Sequence, residues 1–154
     1  MSKKCLFVIG ALILVIAGGA YKFIIQGSVS KSSDGRTAIH LNATERDFVL
    51  EEMRSFLVSV QKITQGISEN DMGLIAESAK KVGAAAQGEV PGTLVGKLPI
   101  EFKQLGFDTH TKFDQLAMDA KDLGDSNHTL SQLSTLMNNC ITCHATYRFD
   151  ISSE

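Results

Sequence analysis

The sequence predicts an all-α fold: an antiparallel four-helix bundle preceded by an N-terminal hydrophobic helix. Three observations predict it. Four segments after Asn42 repeat apolar residues every three or four positions, the period of a helix with one buried face. The breaks between them fall on Gly, Pro, Asn and Asp, and most are short, as antiparallel neighbours require. The first 26 residues are largely apolar and contain no acid.

The N-terminal element reads Met1-Ser-Lys-Lys, then an apolar run from Cys5 to Tyr21 that Lys22 interrupts and Phe23, Ile24 and Ile25 extend. At roughly 20 residues the run spans a bilayer if Lys22 snorkels outward. Such a run is either a transmembrane anchor or a cleaved signal. Gly18-Gly19-Ala20 offers the small residues of a cleavage site, yet cleavage there would leave Tyr-Lys-Phe-Ile-Ile as an exposed apolar stub. Residues 1–26 are therefore expected to stay as an anchor, with Lys3 and Lys4 inside and the body outside. Cys5 precedes the run and does not read as a lipoprotein attachment site.

Residues 27–41 read as a linker and arm: a polar stretch to Arg36, then a short extended segment from Thr37 to Leu41. Residues 42–154 form the bundle domain. Its first helix begins at Asn42, with Glu45 completing a capping box, and carries Val49, Met53, Phe56, Val60, Ile63 and Ile67 on one stripe. Gly66 marks its expected end. The second helix starts near Ser68 or Asn70 and shows Met72, Ile75, Ala79, Val82 and Ala86. Residues 87–97, with Gly88, Pro91, Gly92 and Gly96, read as a loop. The third helix has Pro99 in its first turn, where a missing N–H costs little, and ends at Gly124. Its stripe is Phe102, Leu105, Thr109, Phe113, Leu116 and Ala120. The fourth is capped by Asp125 or Ser126 and aligns Leu130, Leu133, Met137, Cys140 and His144.

That last helix carries the most informative motif in the chain, Cys140-Ile-Thr-Cys143-His144. On a helix Cys140, Cys143 and His144 fall at i, i+3 and i+4 and share a face. Two thiols can each form a thioether to a haem vinyl group, and the adjacent imidazole can ligate the iron, so the box is the signature of covalent haem attachment. A structural zinc site would need two more ligands at matching spacing, and the sequence offers none. A redox pair would sit near a βαβ pattern, and a disulfide within one helical turn is poorly placed.

Residues 1–30 hold three lysines and no acid, so the rest has 12 basic and 17 acidic residues and a net charge of −5. A mildly acidic body argues against nucleic acid as a partner; it is compatible with docking to a basic redox partner and equally with an ordinary soluble surface. No nucleophile, base and orienter stand in a recognisable pattern, so the chain does not read as an enzyme. Glu51 and Glu52 are adjacent, cannot share a helix face, and read as solvated.

The stretch Cys140-Ile-Thr-Cys143-His144-Ala-Thr-Tyr147-Arg148 resembles the C-x-x-C-H-x-x-[YF]-R pattern of class II c-type cytochromes, the cytochrome c prime group, four-helix bundles with the haem box at the end of the last helix. Arg46 to Leu57, with Met53, and Phe102 to Ala117, with Thr109-His110 and Phe113-Asp114, look like the same group. The resemblance covers residues 42 to 149. Class I cytochromes differ: their box lies near the N-terminus and a methionine ligand follows it.

The resemblance implies one covalent haem c per chain, held by Cys140 and Cys143, with His144 as the proximal iron ligand. Arg148, one helical turn after His144, would lie near the haem, raising the potential or pairing with a propionate. The group has two kinds of member. In low-spin electron carriers a methionine from the first bundle helix ligates the iron; here the candidate is Met53, whose thioether would favour reduced iron, with a flexible core filler as the alternative reading. High-spin members leave the position open and bind gases such as NO or CO. His110, beside the third stripe, is a second distal candidate, while a core or boundary role is the bland reading. Met72, Met118 and Met137 read as packing. The expectation is a one-electron carrier on the periplasmic face of the inner membrane, anchored by its N-terminal helix, serving redox partner proteins such as membrane respiratory complexes and, by resemblance, forming a homodimer. Haem attachment outside the cytoplasm agrees with an export segment.

Overall fold

A computed structural model describes residues 2–152, the Glu89 side chain excepted. The chain is mostly helical and carries a small three-stranded sheet. Helix α1, Lys3–Ala20, is capped by Ser2 and runs on through a π-helical turn, Tyr21–Gln26. The continuous span Lys3–Gln26 has 24 residues at mean hydropathy 2.2 and buries none of them against the body. It is long and apolar enough to cross a membrane or to act as a signal sequence; at 1.5 Å per residue it reaches about 36 Å.

The segment expected to be a linker is folded. Strand β1, Val29–Lys31, pairs antiparallel with β2, Thr37–Leu41, and Gly35 (φ +88°) turns the chain between them. On its other edge β2 pairs parallel with β3, Tyr147–Ile151, from Thr37 opposite Tyr147 to Leu41 opposite Ile151. The fold is mainly helical, as expected, with this small sheet added to it. β2 is the central strand, with Ala38, Ile39 and Leu41 buried, because its backbone groups are satisfied by a segment more than a hundred residues away. β2 leads into α2, Ala43–Glu69, and β3 follows α6, Ser126–Thr146, so the sheet ties the start of one to the end of the other.

Helix boundaries follow cap chemistry. Asn42 Oδ1 accepts from the Glu45 N–H at 2.8 Å and Glu45 accepts from the Asn42 N–H at 3.0 Å, completing the expected capping box. α2 does not stop at Gly66; it ends at Asn70, which takes the left-handed conformation. Gly66 matters for packing instead. A Cβ there would lie 2.6 Å from the Ile75 side chain, so glycine permits close approach of α3, Met72–Lys80. Asp71 caps α3. α3 stops at Lys80, short of the expected Val82 and Ala86; a 3-10 turn, Ala84–Glu89, follows and runs into the expected loop, which also holds a short helix α4, Gly92–Lys97. α5, Ile100–Leu123, starts after Pro99 and ends at Gly124 (φ +62°), and Asp125 caps α6.

Two cores result. Ile63 of α2, Ile75 and Ala79 of α3, Phe113 and Leu116 of α5, and Leu133 and Leu136 of α6 share one. Ile39 and Leu41 of β2, Val49 of α2 and Leu94 and Leu98 around α4 share the second, with Phe102 edge-on to Tyr147 and Phe149.

Candidate cofactor site

The last turns of α6 bring Cys140, Cys143 and His144 to the wall of a cavity of about 490 Å³. Leu50, Met53, Phe56, Leu57 and Val60 of α2 form a second wall, and Phe102, Leu105, Gly106, Thr109 and His110 of α5 a third. The lining is overwhelmingly apolar, so a bound group here leaves water for hydrocarbon. Both site cysteines are free thiols and partly buried. Burial pushes the Cys140 thiol up; burial, with the neighbouring Cys140, pushes the Cys143 thiol up to about 11. Both shifts come chiefly from burial in this apolar wall, which disfavours the charged thiolate. Among the described residues no three His, Cys, Asp or Glu side chains converge as metal ligands.

The four residues expected to hold a cofactor from opposite sides, Cys140, Cys143, His144 and Met53, thus line one cavity. His144 is solvent-exposed at its edge and Met53 half-buried. His110 lines it too, but its ring is committed. Nδ1 lies 2.8 Å from the Val82 carbonyl oxygen and Nε2 3.2 Å from Glu52 Oε1. Burial opposes charge on this imidazole; the Glu52 carboxylate and the Val82 carbonyl outweigh it and raise its pKa above 6.5. With an acceptor at each nitrogen the ring suits the doubly protonated form, which cannot ligate a metal. Glu52, expected to be solvated, is correspondingly half-buried.

Arg148 departs from expectation. Helix α6 ends at Thr146, so Arg148 lies on β3 rather than a helical turn beyond His144. Its guanidinium bonds Asp150 at 2.8 Å and Ser32 at 3.2 Å, lies 3.4 Å from Asp34, and does not line the cavity. The strand wins over the helix because β2 offers Tyr147–Ile151 a full ladder.

Three features escaped the sequence. Asn139 is buried and fully bonded, donating to Asp108 at 2.7 Å and Thr109 at 3.1 Å and accepting from Lys112 at 3.1 Å, which locks α6 to α5 behind the cysteines. Phe102 joins the cavity to the sheet core. Arg36 donates to the carbonyls of His144 and Tyr147, both at 3.4 Å, placing a cation at the C-terminus of α6. Asp34 holds Arg36 at 2.6 Å, and that contact keeps the Asp34 carboxyl well below the usual range. The turn is visible in the sequence as Asp34-Gly35-Arg36, but its target is not.

Comparison with known protein families, curated proteins and solved structures finds no match to this chain.

Proposed function

We propose that the chain is a membrane-tethered, single-haem electron-transfer protein whose helical body is an antiparallel four-helix bundle of the class II cytochrome c type. The observation that carries the reading is the shared cavity: the Cys140-x-x-Cys143-His144 box from α6 and Met53 from α2 line the same apolar space. Its volume of about 490 Å³ lies within the range of cofactor pockets. Two protonated thiols, an imidazole and a thioether around an apolar space suit a flat macrocycle with a metal at its centre. The shared core of α2, α3, α5 and α6 supports the bundle, and the apolar span Lys3–Gln26 supports a membrane tether; the body would stand on the periplasmic face.

Cys140 and Cys143 would each attach through addition of S–H across a vinyl C=C: the S–C bond forms, the hydrogen goes to the other carbon, and no oxidant is consumed. His144 would supply the proximal nitrogen and Met53 the distal sulfur. Haem bound here supplies a one-electron Fe(III)/Fe(II) couple. Phe56 and Val60, which pack against the bundle core, would keep water from a group bound here, which favours the less charged reduced state. Asn139 holds the cysteine-bearing turn against α5, and His110 lines the cavity with both ring nitrogens already engaged by Val82 and Glu52.

The test is an absorption spectrum of the purified full chain, oxidised and reduced, with and without CO. Low-spin bands unmoved by CO are expected. A high-spin ferrous spectrum that shifts with CO replaces electron transfer with gas binding, and absence of covalent haem overturns both.

A further inference from the structure

The end of α1 is built into the body. Gly27 turns the chain with φ +69°, and a Cβ there would collide with the carbonyl oxygen of Lys97 and the backbone at Leu98 and Pro99. The Ser28 N–H donates to the Lys97 carbonyl at 2.7 Å, and the Ser28 carbonyl accepts from the His40 N–H at 2.8 Å. β1 begins at the next residue. From the other side, Lys103 Nζ donates to the carbonyls of Phe23 at 3.1 Å and Ile24 at 3.0 Å. These are last-turn carbonyls that the helix itself leaves open, and a cation there also meets the negative end of the helix dipole. Lys22 Nζ folds back to the Gly27 carbonyl at 2.9 Å. The Phe23 ring packs over Gly96.

A flexible tether wanders by about 5–6 Å times the square root of its length. Here no residue between Gln26 and Val29 is untied. Beside the joint the body exposes apolar side chains: Val95 of α4 is 37% exposed and Phe107 of α5 is 55% exposed. Phe107 lies one turn beyond Lys103 on the same helix face, and Val95 precedes Gly96, over which the Phe23 ring packs, so both apolar side chains flank the joint. Lysines with apolar and aromatic neighbours are the composition of a membrane–water boundary.

We propose that α1 and the body form one rigid unit, and that this joint seats the α4–α5 rim, through Val95 and Phe107, on the surface of the lipid bilayer. The inference rests on the reading of α1 as an uncleaved membrane anchor. Its consequence is that the cavity is presented at one height and orientation above the membrane.

The chain contains no tryptophan, so a single introduced one reports alone. The full-length Phe107→Trp and Leu123→Trp variants are placed in phosphatidylcholine nanodiscs with plain or brominated acyl chains. Leu123 is exposed on the same helix, about 24 Å further along at 1.5 Å per residue. Bromination is expected to cause loss of emission in Phe107→Trp and none in Leu123→Trp. A four-residue Gly-Ser insertion after Gln26 is expected to abolish that difference. Equal quenching at the two positions, or quenching unchanged by the insertion, overturns the rigid seating. The intact mass of protein extracted from membranes separates this from the underlying reading: a mass short of the first twenty residues overturns the anchor and the seating together, whereas a full mass with equal quenching overturns the seating alone.

Discussion

Glu52 Oε1 lies 3.2 Å from Nε2 of His110, inside the body and at the edge of the main cavity. The pair joins α2 to α5, and the other nitrogen of the ring joins α5 to the backbone at Val82. Because Glu52 immediately precedes Met53, the contact also fixes the rotation of α2 about its axis. At 100° per residue, a helix that points Glu52 at α5 has little freedom in where it sends the next side chain. The pair is thus a positioning device for Met53 as well as a tie between helices.

Its pH dependence has a definite sign. His110 binds its proton more tightly folded than unfolded, since its pKa is raised from 6.5. The stabilisation is therefore fully present below the unfolded value of 6.5 and is lost as pH rises through the folded value. Urea midpoints of the wild type and His110→Gln, compared from about pH 5 to about pH 9, are expected to differ most at the acid end. A gap that widens toward alkaline pH contradicts the assignment. Glu52→Leu, which strands the buried imidazole, is expected to cost about 1–3 kcal/mol.

Met53→Ala isolates the distal position. Removing the thioether leaves the other walls of the cavity in place, so the variant should fold, retain covalent haem and bind CO readily when reduced. Its potential is expected to fall, because a thioether favours the reduced iron. CO binding equal to that of the wild type would falsify Met53 as the ligand.

Cys140→Ala with Cys143→Ala tests the attachment. Haem staining after denaturing electrophoresis is expected to vanish. Thermal unfolding should also move down, because α2, α5 and α6 would then surround an apolar space with nothing in it. A variant as stable as the wild type would mean that the body packs fully without the group.

What the sequence revealed and what it hid divide along the same line. Asn42 with Glu45, Gly124 and Asp125 act on their own neighbours, so reading them in order placed the helix ends. Cys140, Cys143 and His144 needed only helical spacing to share a face. Gly66 has the same composition signal as a C-cap, but its cause is Ile75 on the next helix. Glu52 looked solvated because its partner is on α5. Tyr147 to Ile151 could continue a helix as well as form a strand, and only β2 decides between them. Gly66, Glu52 and Tyr147 to Ile151 share a cause: each has its deciding partner outside its own helix or strand.

The sheet offers the sharpest stability test of that difference. Ile39 is fully buried, sits on the central strand opposite Val29 on one side and Phe149 on the other, and packs into the second core. If residues 27–41 only linked an anchor to a bundle, Ile39→Ala would change stability by no more than about 0.5 kcal/mol, the usual effect at an exposed site. A buried isoleucine truncated in a close-packed core costs about 2–5 kcal/mol, from lost transfer energy and the cavity left behind. The larger value is expected in urea unfolding of the full chain in detergent. The loss should also reach the site. β2 and β3 tie the start of α2 to the end of α6, so loosening their ladder lets the Met53 wall move against the Cys140–His144 wall. A fall in stability accompanied by increased CO access would link the sheet to the cavity; a fall in stability with CO access unchanged would confine the sheet to holding the body together.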